Sequence, residues 1–103
     1  MKPARVSKRA RQDLEAIRDY IAGDNPEAAE QVWGALLDTA DLLADNVEAG
    51  TKIINAPQRH ADVRWFVIPR FRNYLIFYRP YEDTILVLRI LHAARDWTRF
   101  FRS

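Results

Sequence analysis

A chain of 103 residues with 49% apolar and 29% charged side chains holds one globular domain with a thin core, and neither two domains nor a disordered tract. No cysteine is present, which excludes disulfides, thiolate metal sites and a cysteine nucleophile. The basic start Met1–Arg9 lacks the apolar core of a signal peptide, and no apolar run approaches the ~18 residues that span a bilayer, so a cytoplasmic protein is expected.

The formal charge of +2 hides a division along the chain. Residues 1–11 carry five basic groups and no acid, residues 12–51 ten acids against Arg18, and residues 52–103 ten basic groups against four acids. Thirteen of the sixteen cations are arginine, the side chain that pairs bidentately with carboxylate or phosphate. Either these are solvated surface charges, or an acidic half is joined to a basic half that meets an anionic partner.

Ala4-Arg5-Val6 reads as a short extended start. Ser7 follows as an N-cap, with Ala10, Leu14, Ile17 and Ile21 at helical spacing behind it and Asp13, Glu15, Arg18 and Asp19 on the other faces. This helix ends near Gly23. Asn25 caps a second helix with Pro26 at its first position, where a missing N–H costs nothing. Glu27 and Glu30 suit its positive pole, and Ala29, Val32, Trp33, Leu36, Ala40, Leu43, Ala44 and Val47 form one apolar stripe. With so short a link the helices must fold back as an antiparallel hairpin, the second closing over residues 46–50.

Residues 51–62 are mixed and polar and read as a loop. The period then changes to two: residues 63–68, 73–79 and 84–91 are β-branched and aromatic, bounded by Pro69 and by Pro80-Tyr81-Glu82-Asp83. A short terminal helix is placed around Trp97, Phe100 and Phe101. The order is β-α-α-β-β-β, an α+β domain with a helical hairpin on a mainly antiparallel sheet.

Four-residue loops at 69–72 and 80–83 would put Phe66, Leu75, Phe77, Leu86 and Leu88 on one face. The other would carry Val67, Tyr74 and Arg89, then Trp65, Ile76 and Val87, then Val63, Tyr78 and Ile85; a one-residue slip exchanges the faces. Both faces are apolar in any register, whereas a sheet covered on one side should be polar on the other. Trp65, Tyr74, Ile76 and Tyr78 around Arg89 are therefore expected to bind a protein partner, since such residues concentrate at interaction hot spots. The competing expectation is that Trp97, Phe100 and Phe101 fold across this face.

Chemical motifs are sparse. The three glycines lie far apart, His60 and His92 have no metal-ligand spacing to a second strong ligand, and Ser7 is a cap, so neither a metal nor a cofactor is expected. The remaining constellation is Arg64, Arg72, Arg79, Arg89, His92 and Arg95. Such a set can stabilise phosphoryl transfer with His92 as acid or base, grip an acidic surface, or pair with carboxylates of the helices.

Certain strings are characteristic. Ser7-Lys8-Arg9-Ala10 runs into Asp13-Leu14, with Ile17 and Tyr20-Ile21-Ala22 behind, and Asp24-Asn25-Pro26 precedes Ala28-Ala29. Pro69-Arg70-Phe71-Arg72-Asn73-Tyr74-Leu75-Ile76-Phe77-Tyr78-Arg79 is followed by Leu91-His92-Ala93-Ala94-Arg95-Asp96. In order and spacing these resemble the RelE/ParE toxin superfamily, its ParE branch in particular, over nearly the whole chain and least at 51–62.

The resemblance implies a toxin of a type II toxin–antitoxin system, of the kind also met in plasmid stabilisation, in a hetero-oligomer with its antitoxin. ParE-like toxins act on DNA gyrase, with Arg64, Arg72, Arg79 and Arg95 here as the expected target-binding arginines and Trp65, Tyr74, Ile76, Tyr78 and Arg89 as the expected antitoxin-binding set. RelE-like toxins cleave messenger RNA on the ribosome with sheet lysines and arginines and, in many members, a late tyrosine. Here the only lysine after Lys8 is Lys52 and no tyrosine follows Tyr81. Arg79 and His92 do stand where some RNA-cleaving relatives carry functional arginine and histidine, which keeps the nuclease as the alternative.

Overall fold

Ser7 ties the helical half to the sheet. In the computed structural model, which describes residues 2–102, its Oγ accepts from the Ala10 amide at 3.0 Å and its hydroxyl donates to the Leu88 carbonyl at 3.0 Å. The helix it opens, α1 (Lys8–Ala22), buries Ala10 and Leu14. Asn25 caps α2 (Pro26–Asp45) through the Ala28 amide, and that helix buries Ala29, Val32, Ala35, Leu36, Thr39, Ala40 and Leu43. The two helices pack as the expected hairpin.

The hairpin lies on one face of a five-stranded sheet of order β1-β5-β4-β3-β2. Its strands are β1 (Arg5–Val6), β2 (Thr51–Lys52), β3 (Arg64–Val67), β4 (Tyr74–Tyr81) and β5 (Thr84–His92). β1 runs parallel to β5 and every other pairing is antiparallel. β2 lies in the stretch read as a loop, because two residues are too short to show a period. The helix expected near the C-terminus is one 3₁₀ turn, Trp97–Phe100.

The register departs from the loop-length reading at three places. β4 and β5 are joined by Glu82-Asp83 alone, with Tyr81 paired to Thr84 and Glu82 in the left-handed region at φ 54°. A bulge next to Leu88 pairs Phe77 with Arg89 but Tyr78 with Val87, which turns Arg89 to the opposite side from Tyr74 and Ile76. Between β3 and β4, Trp65 pairs with Phe77 and Phe66 with Ile76, one residue away from the expected alignment. Period two then carries Trp65 to the face of Phe77.

The helix-covered core therefore holds Ile76, Tyr78, Ile85, Val87 and Ile90, with Phe66 and Tyr74 half-buried at its margin. The other face holds Val63, Leu75, Phe77 and Leu91, and Phe101 is buried against it with Trp97, Phe100, Trp65 and Leu88 alongside. The chain's own C-terminal segment covers the second face: Phe77 stacks on Phe101 at 4.9 Å and meets Trp97 at 5.2 Å. His60 Nδ1 bonds the Phe101 carbonyl at 2.9 Å and fastens the segment to the preceding loop. No helix among the described residues is long and apolar enough to cross a membrane.

Candidate functional site

The expected antitoxin-binding residues do not share a face. Ile76 and Tyr78 have no exposed surface and face the helices with Tyr74, while Trp65 lies on the opposite side under Trp97, 6.0 Å away. The premise of an uncovered Trp–Tyr face is corrected here: helices take one side and residues 97–101 the other. Tyr78 is instead a structural knot. Its hydroxyl donates to the Val47 carbonyl at 2.7 Å and accepts from the Gly50 amide at 2.8 Å, and burial raises its phenol pKa against the opposing pull of Gly50 and Arg64. Tyr74 is raised as well, first by burial and then by the neighbouring Tyr20.

The arginines separate into engaged and free groups. Arg64 donates to the carbonyls of Gly50 (2.7 Å) and Glu48 (3.3 Å), holding the link between α2 and β2. Arg79 bonds Asp62 Oδ1 at 2.8 and 3.1 Å and also the Arg59 carbonyl. Arg72 lies exposed in the turn before β4, and His92 and Arg95 lie exposed at the adjoining end of β5, where Tyr74 pairs with His92 and the Ala93 amide meets the Asn73 carbonyl.

Arg79 is five residues along β4 from Tyr74, about 17 Å at strand rise, and on the opposite face. Arg64 and Arg79 therefore do not join Arg72, His92 and Arg95. The His92 ring stands edge-on to Tyr74 at 5.2 Å, and its Nδ1 accepts from the Ala94 amide at 3.0 Å.

Arg89 has a carboxylate within its own fold. Its Nε and Nη2 bond Asp13 Oδ2 and Oδ1 at 2.7 and 3.0 Å, and Asp13 Oδ2 also accepts from the Ile90 amide at 3.0 Å. β1 covers β5 only at Leu86 and Val87, so Asp13 satisfies the strand edge where β1 ends. Sequence reasoning placed Asp13 on an outer helix face. The one available signal was that it is the first acid after a wholly basic start.

Phe100 was also undervalued: the guanidinium carbons of Arg89, Arg95 and Arg99 lie 4.6, 4.9 and 5.2 Å from its ring centroid. The described residues contain no cluster of histidines and carboxylates fit to hold a metal.

This architecture has close counterparts. Toxin RelE2 of Caulobacter vibrioides is 38% identical over 87 residues, 84% of this chain and 90% of that protein. Toxin RelE3 of the same organism is 28% identical over 93 residues, 90% of this chain and 96% of that protein. A solved chain from the chromosomal ParDE system of P. aeruginosa shares the fold at TM-score 0.71 and 24% identity, over 89% of this chain and 96% of its own length. The model of the ParE toxin of the type II toxin–antitoxin system parDE matches residues 4–97. The chain thus belongs to the ParE toxin family of type II toxin–antitoxin systems.

Proposed function

We propose that this toxin poisons DNA gyrase and is neutralised by a cognate antitoxin in a hetero-oligomer, and that it is not a nuclease. The observation carrying this reading is the failure of Arg79 and His92 to converge. They lie about 17 Å apart along the strands on opposite faces, and Arg79 is held by Asp62. An acid and a cation serving one phosphoryl transfer must both reach the same phosphate. The absence of sheet lysines beyond Lys52 points the same way.

Arg72 and Arg95, exposed at one end of the sheet, are the arginines assigned to the target; Arg64 and Arg79 support the fold. Expression without antitoxin is expected to induce a DNA-damage response before protein synthesis slows. An immediate arrest of translation with undamaged DNA would reject the proposal.

The second reading is ribosome-dependent cleavage of messenger RNA. It draws on the two relatives that carry the RelE name and on His92, exposed at the same end of the sheet as Arg72 and Arg95. In that case His92→Ala abolishes toxicity, whereas a gyrase poison retains it.

A further inference from the structure

We infer that the arginine cluster around Phe100 is a binding site for the phosphate backbone of duplex DNA. Arg89, Arg95 and Arg99 all lie within 5.2 Å of one ring centroid. The exposed pair, Arg95 and Arg99, is then no more than about 10 Å apart, near enough for both to meet neighbouring phosphates of one strand. Of these three, Arg89 is nearly buried and held by Asp13, whereas Arg95 and Arg99 have no carboxylate partner among the described residues. The nearest acid in the segment, Asp96, accepts from the Thr98 hydroxyl at 2.7 Å and forms no ion pair with these arginines.

Arg9 stands one helical turn before Asp13 on the same side of α1, at a helix start whose first turn has no acid. The positive pole of that helix raises the local potential further. Arg95 and Arg99 are thus two exposed like charges held over one ring, without a carboxylate partner among the described residues.

The chemistry of the surroundings selects the kind of anion. Three guanidiniums crowd the Phe100 ring, Phe101 is 4% exposed and Trp97 is half-buried against the sheet. The site therefore offers charge without an apolar pocket. A peptide partner needs desolvated anchors for useful affinity, whereas a polyanionic backbone binds by charge alone through release of its condensed counterions. The inference does not depend on gyrase, since naked duplex suffices.

The test is fluorescence anisotropy of the full chain with a labelled 20-base-pair duplex of arbitrary sequence, across a salt series. Arg95→Gln/Arg99→Gln should weaken binding about tenfold at low salt and reduce the slope of log K against log salt by about 1.8, two contacts at about 0.9 each. Removing two charges at the opposite sheet edge and its loop, with Lys52→Gln/Arg59→Gln, should leave the slope within about 0.5 of the parent. Melting temperatures confirm that both variants fold. Equal losses in the two variants would reduce the effect to net charge and overturn the proposal. Binding of a poly-glutamate peptide through Arg95 and Arg99, with no binding of duplex, would overturn it in favour of an acidic protein partner.

Discussion

Removing the carboxylate of Asp13 should destabilise the domain far more than a surface ion pair warrants. Its side chain is 12% exposed and that of Arg89 is 13% exposed. Asp13→Ala therefore leaves a nearly buried guanidinium against Phe100 without its counterion, and the Ile90 amide without its acceptor. Breaking a buried pair from one side costs about 3–5 kcal/mol. Some water still reaches both groups, so the lower end, about 3 kcal/mol, is expected.

For a domain of this length that lowers Tm by about 12–24 °C. The loss should persist in 1 M salt, where an exposed pair would be screened. Asp13→Ala/Arg89→Ala removes the stranded charge as well, so the double-mutant cycle should give a coupling of about 2 kcal/mol. Urea denaturation of the four proteins measures it. Additive single losses, or an Asp13→Ala cost below about 0.5 kcal/mol, would refute the reasoning.

Gly50→Ala should be costly, because a Cβ there would lie 2.5 Å from the Tyr78 hydroxyl and 2.9 Å from the Trp65 carbonyl. A loss of about 1–3 kcal/mol in urea denaturation is expected, and no loss would show that the Tyr78 knot is loose. The raised phenol pKa of Tyr78 makes stability full below the unfolded value of 10.0 and lost as pH climbs through the folded value, since there the unfolded chain releases the proton first. Tyr78→Phe should flatten that alkaline decline, and an unchanged pH profile would contradict it. Truncation after Asp96 uncovers Phe77 and Leu91, and it removes Phe101, whose burial is worth about 1.5–3 kcal/mol, together with the half-buried Trp97 and Phe100. The shortened chain should unfold at ordinary temperatures; retention of the parent Tm would mean that the segment is not part of the core.

The helical hairpin was legible because its signals are local. Ser7 and Asn25-Pro26 cap within three residues, and Leu14, Val32, Leu36 and Leu43 repeat at helical spacing and are buried as expected. The identity of the late strands was equally legible, but their alignment was not. A two-residue turn at Glu82-Asp83 and a bulge next to Leu88 each alter the pairing without altering composition, and the bulge reverses which face Arg89 occupies. A face expected to bind a partner therefore became core.

The arginines were found as residue types and misjudged as a group. Their partners, Asp62 in an irregular loop and the carbonyls of Glu48 and Gly50, carry no pattern that a period can detect. The Asp13–Arg89 contact spans most of the chain and had no sequence signal beyond complementary charge.

The central functional claim is tested most directly by adding purified toxin to gyrase and relaxed plasmid, in parallel with a translating extract. The gyrase reading predicts loss of supercoiling with accumulation of cleaved DNA, intact messenger RNA, and the same behaviour from His92→Ala. Undisturbed supercoiling, together with codon-specific messenger RNA cleavage that His92→Ala abolishes, would contradict it.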